Sequence, residues 1–446
     1  MQKLKIRNVF ASRFTLHASR FIFKPAACSL QRVACYCILF IACLSLAGCG
    51  QKESPLEKQQ PATSQPQELL MWLVGSESQA KVIQSMGSEF FRGKGIGFRC
   101  EAISWGDAHT KYLTCIAGNV IPDIGTMGFT WGTEFGTLGA MLDLAGEFPE
   151  DIRKIKEKTF PGLWGSVEYK SCVYGIPFDL SVQIMFYRKD IIAKPPATWD
   201  DLVVLLESLK TQEKGMIFDW GTMSWIGYAS YLWQAGGDFY NQAGSKSTLD
   251  SQEATEALKF FGRLYTDLGV PKTRIPLEQG MRTGDFPLAI SGNWKIDTLR
   301  LTAPEIAGKW SIIRLPAGPT GARTAFLGGR VIGIFNKSKN KHQAFEFIKF
   351  LFEPQTQIRL YNAARATQDS YLPTNVLAWE EMPLDIEFKR ALKSQAQDAK
   401  GPPSILGWDE STRFIEEAIQ KVILQGADAR EELAKTAKEL DKHIRK

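Results

Sequence analysis

Ser-His or Cys-His catalysis requires an imidazole beside the nucleophile, and beyond residue 48 the sequence offers His109, His342 and His443. His109 falls inside a helical pattern, His342 at a helix start among lysines, and His443 near the last residues. No G-x-S-x-G elbow accompanies them. No H-E-x-x-H is present, and Cys100, Cys115 and Cys172 do not stand at metal-ligand spacing. The reading is therefore small core cysteines with at most one disulfide, no metal and no cofactor. Gly93-Lys94-Gly95-Ile96-Gly97 has glycine at alternate positions but precedes a strand, the reverse of a dinucleotide loop. Paired carboxylates for glycoside hydrolysis stay open, because sequence separation does not report distance.

Tryptophan carries more information. Several of the twelve stand beside glycine and a polar residue: Trp105-Gly106-Asp107, Thr130-Trp131-Gly132, Trp233 to Asp238, and Gly292-Asn293-Trp294. A pyranose has an apolar C–H face that packs on an aromatic ring and a rim of hydroxyls that needs Asp, Glu, Asn or Arg. One such tryptophan is more often packing than ligand contact. Four clusters together point to a sugar.

The element that must position these residues is the stretch Tyr174–Asp190. Val182, Ile184 and Phe186 alternate there with Gln183, Met185 and Tyr187, which predicts a strand. Asp179, Ser181 and Gln183 are unusual in a central strand. They fit a strand that crosses between two lobes with polar groups toward a wet cleft; an ordinary edge strand is the alternative. Upstream, strand starts near 69, 97 and 123 alternate with helical patterns. One helix carries Val82, Met86 and Phe90 on one face, and the next Ala108, Tyr112 and Ile116. That βαβαβ rhythm predicts a parallel sheet with helices on its faces. Downstream, Thr198 and Asp201 predict an N-cap for a helix through Leu209, and Ser338 a cap for a helix with Phe347 and Leu351. Two amphipathic helices close the chain.

Composition sets the class. The 446 residues are 44% hydrophobic, 23% charged and 11% aromatic, enough for two or three domains with ample core. The formal charge is +6, but residues 1–48 hold seven bases and no acid, so subtracting seven leaves −1 for residues 49–446. No basic footprint for nucleic acid survives. Within 1–48 a basic stretch leads into the apolar run Tyr36–Leu46, too short to span a bilayer, and ends at Leu46-Ala47-Gly48-Cys49. This reads as a secretion signal over 1–48. Residues 49–67, rich in Pro, Gln, Ser and Lys, read as a flexible tether with a reach of about 24 Å.

Leu46–Cys49 resembles a bacterial lipobox, which implies lipidation at Cys49 and anchoring to the extracytoplasmic face of a membrane. The rest resembles the extracellular solute-binding proteins of family 1, the maltose-binding-protein-like receptors of carbohydrate ABC importers. Trp105-Gly-Asp-Ala-His-Thr-Lys-Tyr with Ile121-Pro-Asp-Ile is similar to the family's W-G-x-x-H-x-K helix and P-D-V strand. Tyr174–Asp190, followed by Pro195-Pro-Ala-Thr-Trp-Asp-Asp-Leu, resembles its Y-G-I-P…Y-x-K-D and P-P-x-T-W-D-E-L segments. Leu232–Asp238, Ala289–Trp294, Phe326–Arg330 and Lys337–Lys341 follow in family order, and the collinearity covers nearly all of 68–446.

The resemblance implies an α/β, two-lobed periplasmic-binding-protein type II fold with hinge crossovers near 177–183, 316–326 and 365–371. Lobe 1 would hold 68–178 and 326–367, lobe 2 179–325 and 368–446. Family roles carried over by position give ligand contacts at Glu77, Trp131, Asp179, Ser181, Trp233, Asn293, Trp294, Gly329, Arg330 and Trp408. The implied partners are a small carbohydrate, the transmembrane subunits of an ABC permease and, through the anchor, a membrane, with the receptor itself monomeric. A secreted carbohydrate-active enzyme and a ligand receptor for a sensor system are the alternatives.

Overall fold

The computed structural model describes residues 67–218, 224–367 and 369–444. The expected signal over 1–48, the expected lipidation at Cys49 and nearly all of the expected tether lie outside them. Three strand–helix units open the described chain: β1 (Gln67–Val74) with α1 (Glu77–Phe90), β2 (Ile96–Ile103) with α2 (Trp105–Gly118), and β3 (Ile124–Gly128) with α3 (Phe129–Thr137). The strands are parallel in the order β2-β1-β3, as the βαβαβ rhythm predicts. Helix α1 starts where Ser76 accepts from the Gln79 N–H at 3.1 Å. Its core face carries Ala80, Ile83, Met86 and Gly87. Val82 and Phe90 of the predicted stripe sit at its margin, only half-buried.

Short helices α4 (Leu144–Glu147), α5 (Pro149–Glu157) and α6 (Pro161–Trp164) and the hairpin β4 (Glu168–Tyr169)/β5 (Cys172–Val173) lead into the long strand β6 (Ile176–Arg188). Beyond it come α7 (Trp199–Thr211), β7 (Met216–Phe218), α8 (Ser224–Gln234), α9 (Gln252–Thr266), α10 (Leu277–Thr283), β8 (Leu288–Gly292), α11 (Lys295–Thr302) and β9 (Trp310–Ile313). The predicted Thr198 cap of α7 is a full capping box with Asp201. The chain then returns as β10 (Leu327–Ile334), followed by α12 (Lys341–Phe352), α13 (Pro354–Thr367), α14 (Ala378–Glu381), α15 (Ile386–Gln397), α16 (Trp408–Gln425) and α17 (Ala429–His443). The N-cap position of α12 is Asn340 and not Ser338, with no side-chain cap bond; the Ser338 hydroxyl donates to Asp123 at 2.5 Å and accepts from the Asn340 N–H at 3.0 Å.

Strand β6 belongs to two sets of strands. Residues 176–182 pair with β10, and residues 183–188 pair with β8 and β9. β10 is inserted antiparallel between β3 and β6, so β6 runs in the same direction as β1–β3. β8 is antiparallel to β6, and β7 is parallel to β8. The carboxyl ends of β1–β3 therefore face the carboxyl ends of β7 and β8 across the middle of β6. Both faces of β6 are covered. Asp179 and Gln183, expected to face a wet cleft, are buried, and Ser181 is half-buried.

Each set has its own packing. Phe90, Phe91, Phe98, Phe347 and Phe350 lie ring to ring between α1, β2 and α12. Trp225, Phe239 and Trp408 do the same where α8 meets α16. A fully buried ring of this kind contributes about 2–3 kcal/mol through burial. The stretch around 374–382 packs on the first set: Thr374 donates to the Pro177 carbonyl at 2.9 Å, Asn375 to the Phe352 carbonyl at 3.0 Å, and Trp379 lies edge-on to Phe160.

Two positions on the crossing ladder give measurable consequences. Gly329 has φ +136°, and a Cβ there would collide with the Asp179 carbonyl oxygen across the ladder. Gly329→Ala is expected to lower unfolding free energy by about 2–3 kcal/mol in chemical denaturation. At the far end of β6 the buried Arg188 guanidinium grips Asp190 at 2.7 and 2.8 Å and holds its carboxyl below the ordinary 3.8. A depressed carboxyl contributes stability above its ordinary value and loses it as pH falls through the folded value. Asp190→Asn should therefore be less stable than wild type at pH 7, with the gap closing as pH falls below 3.8.

Candidate functional site

The middle of β6 carries a crossing network. Between Arg330 and Val331 the β6–β10 register shifts, so that Arg330 faces Asp179 while Val331 faces Pro177, and Phe178 is the extra residue of a bulge. Pro177, which has no N–H to give a ladder, suits this place. The Asp179 carboxylate accepts from the Arg330 backbone N–H at 2.8 Å, from Nε at 2.9 Å and from Nη2. Arg330 Nη1 donates to the Val74 carbonyl at 2.6 Å and to Gln79 Oε1 at 2.9 Å, which ties β10 to β1 and α1. Both residues are about 95% buried, and their polar atoms are directed at each other and at the backbone.

Where β6 changes partners, Asn293 replaces a missing ladder rung. Its Oδ1 accepts from the Val182 N–H at 2.8 Å and its own N–H donates to the Val182 carbonyl at 3.1 Å. Ser181 lies opposite Gly328. Ser230 of α8 donates to Gln183 Oε1 at 2.7 Å and accepts from the Phe326 N–H at 2.9 Å. The Leu180 N–H donates to the Leu372 carbonyl at 3.1 Å, which brings a third chain segment to the same place. Asp179, Ser181, Asn293, Gly329 and Arg330 thus come together, chiefly as the fabric of the crossing.

Around this network stand aromatic rings at strand carboxyl ends. Trp294 follows β8, is 42% exposed, and lies back over Gly292, where any Cβ would enter its ring. The cavity beside it is lined by Asn293, Asp297, Arg365, Asp369 and Tyr371. The Tyr371 hydroxyl is buried without a hydrogen-bond partner among the described residues, and burial raises it well above the ordinary tyrosine value. Trp131 follows β3 and is half-buried, with Trp105 edge-on at 5.8 Å and the His109 ring at 5.1 Å. Trp105, at the carboxyl end of β2 and 51% exposed, was within a sequence cluster yet outside the assigned contacts. Glu77 is exposed in the first turn of α1. Residues 219–223, which follow β7 in sequence, lie outside the described residues.

Two of the predicted contacts are placed differently. Trp408 is 2% exposed among Trp225, Phe239 and Tyr240, so neighbouring rings cover its faces. Trp233 is buried against Phe326, donates to Asp238 at 3.0 Å and lies under the Lys400 ammonium. Lys400 and Asp238, an ion pair, line a groove of about 1040 Å³ together with Tyr169, Tyr240 and Asn241. That groove is lined by Tyr169 and Lys170 of the β4/β5 hairpin and by Gly236, Gly237 and Asn241 beyond α8. Open α/β sheets bind ligands at strand carboxyl ends, where Trp294 stands.

Three comparisons bear on this arrangement. A family model for bacterial extracellular solute-binding proteins matches residues 85–378. The chain belongs to that family. A binding protein from Brucella abortus is similar to this solute-binding protein, 26% identical over 348 residues that cover 74% of this chain and 81% of its own length. A maltotriose-binding protein from Pyrococcus abyssi is 26% identical over 183 residues, 40% of this chain and 39% of its own. The sugar-binding protein MalE from Xanthomonas citri shares the two-lobed fold, with a TM-score of 0.76 at 22% identity over 84% of this chain and 97% of that one. Among the described residues no helix is long and apolar enough to cross a membrane.

In this solute-binding protein the Asp179–Arg330 pair is buried on both sides, so removing one partner strands a charge. Asp179→Ala is expected to cost about 3–5 kcal/mol of unfolding free energy, and the double change Asp179→Ala/Arg330→Met less than the single one, measured by chemical denaturation.

Proposed function

We propose that this protein captures a mono- to oligosaccharide between its two lobes and delivers it to the membrane permease of an ABC importer. The observation that carries this reading is the convergence of two opposed sets of strand carboxyl ends on the middle of β6, flanked by Trp105, Trp131 and Trp294. Such rings supply the apolar face a pyranose needs, and Glu77, Ser181 and the polar residues beside Trp294 supply partners for hydroxyls. The names of relatives agree: maltotriose-, lactose- and arabinooligosaccharide-binding proteins align over part of the chain. They favour a transport receptor over a carbohydrate-active enzyme or a sensor receptor.

In the proposed mechanism an open–closed equilibrium is biased by a sugar that touches both lobes only when they are closed. The protein binds, orients and releases, with ATP hydrolysis left to other chains. Asp179, Gly329, Arg330 and Asn293 hold the crossing about which closure occurs, and ligand contact falls to Trp105, Trp131 and Trp294, to Glu77 and Ser181, and to the polar residues beside Trp294. The proposed lobes are 68–178 with 326–367, and 179–325 with 368–446, except that residues 374–382 join the first lobe because they pack on it. We further propose a monomer held by a lipid on Cys49 after removal of 1–48, with 49–67 as tether.

Trp294→Ala should weaken sugar binding more than tenfold in titration calorimetry with maltotriose, lactose and an arabino-oligosaccharide, while the thermal midpoint stays near wild type. Unchanged affinity removes Trp294 from the site. Wild type that binds none of these sugars, but binds peptides or polyamines, overturns the carbohydrate reading.

A further inference from the structure

One cluster lies apart from the crossing network and is not used by sugar capture. His109 of α2, Glu134 of α3 and Asp409 of α16 bring one donor atom each to within 4.8 Å of one another. The His109 Nε2–Glu134 Oε2 distance is 2.8 Å, and His109 Nε2 lies 3.8 Å from Asp409 Oδ2. Bonds of about 2.0–2.1 Å to a tetrahedral zinc ion would hold such donors about 3.3 Å apart, between those two values. Neither carboxylate has an ion pair with a lysine or arginine among the described residues. Two acids and an imidazole thus meet without a lysine or arginine among the described residues.

The donors are also held in place. The His109 ring packs on Trp131 at 5.1 Å and on Phe135 at 5.7 Å, both from α3. Thr130 donates to Asp409 Oδ1 at 3.3 Å, which leaves Oδ2 toward the imidazole. Outer partners of this kind orient ligands in metal sites. We propose that His109, Glu134 and Asp409 form a site for a first-row divalent cation of the Zn²⁺ type. A nitrogen and two oxygens suit such an ion better than Mg²⁺ or Ca²⁺, which take oxygen donors. The three residues leave one position of a tetrahedron for water. α2 meets the first set of strands through Tyr112, which donates to the Thr126 carbonyl at 2.9 Å, and α3 packs on β3 and β10, whereas α16 packs with α8, α9 and α17 of the second. The ion therefore ties the two lobes together at the end of the cleft marked by Trp131, and it favours the closed form without sugar.

The test uses the full protein stripped with EDTA. Titration calorimetry should give one Zn²⁺ per chain, with Mg²⁺ giving no heat. His109→Gln and Asp409→Asn should each weaken Zn²⁺ binding at least about tenfold, and His443→Gln, beside Glu410 at 3.5 Å, should leave it unchanged. Asp409 is half-exposed, so its variant keeps the test valid if His109→Gln folds poorly. Co²⁺ in place of Zn²⁺ should give the visible absorption of tetrahedral coordination, lost in both variants. Binding that survives both variants, or no stoichiometric binding in wild type, overturns the proposal. So does a cluster that responds to pH alone, which marks a proton in place of a metal.

Discussion

A carboxylate and a guanidinium, both about 95% buried, meet where β6 changes from one set of strands to the other. The position is demanding. A strand that leaves one ladder and joins another must find partners for its backbone at the exchange, and burial allows no water to substitute. Here side chains fill the gap. Asp179 accepts the Arg330 N–H that the bulge at Phe178 displaces, and Asn293 completes the ladder at Val182. Arg330 then reaches β1 and α1, so the crossing is fixed against the first lobe and not merely threaded through it. A buried pair contributes little net stability against an apolar replacement. Its value here is positional: it sets where the crossing lies.

From that point the topology follows. Because β10 is antiparallel to both β3 and β6, β6 leaves the first set in the direction in which β1–β3 end. Because β8 is antiparallel to β6, the second set ends toward the first. Every loop that follows β1, β2, β3 or β8 is thereby delivered to one region, together with Glu77, Trp105, Trp131 and Trp294. Closure needs a ligand that touches both lobes at once, since a ligand with equal affinity for open and closed forms shifts nothing. The cation proposed at His109, Glu134 and Asp409 acts on the same equilibrium from outside the sugar site.

The elements were largely legible because they rest on local rules. The apolar run at Leu69–Val74, the Thr198–Asp201 box and the amphipathic stripes of α16 and α17 each declare themselves within a few residues. The crossing strand was legible too, through polar residues that a central strand rarely carries. Their task was not legible. Asp179 and Gln183 look in sequence like groups that face a wet cleft, and only the pairing of β6 with β10 and α8 shows that Arg330 and Ser230 take them up. Trp408, assigned from the family resemblance, and Trp233, assigned within a tryptophan–glycine cluster, are both buried, because aromatic neighbours from distant segments decide which face is covered. His109, Glu134 and Asp409 follow no spacing rule at all, because their three helices meet only in the fold.

The central claim is that the two lobes close on a sugar about the middle of β6. Small-angle scattering of the protein titrated with a sugar that calorimetry shows to bind measures this most directly. The account predicts a fall in radius of gyration that saturates with the binding isotherm. Full occupancy with an unchanged radius of gyration would contradict it.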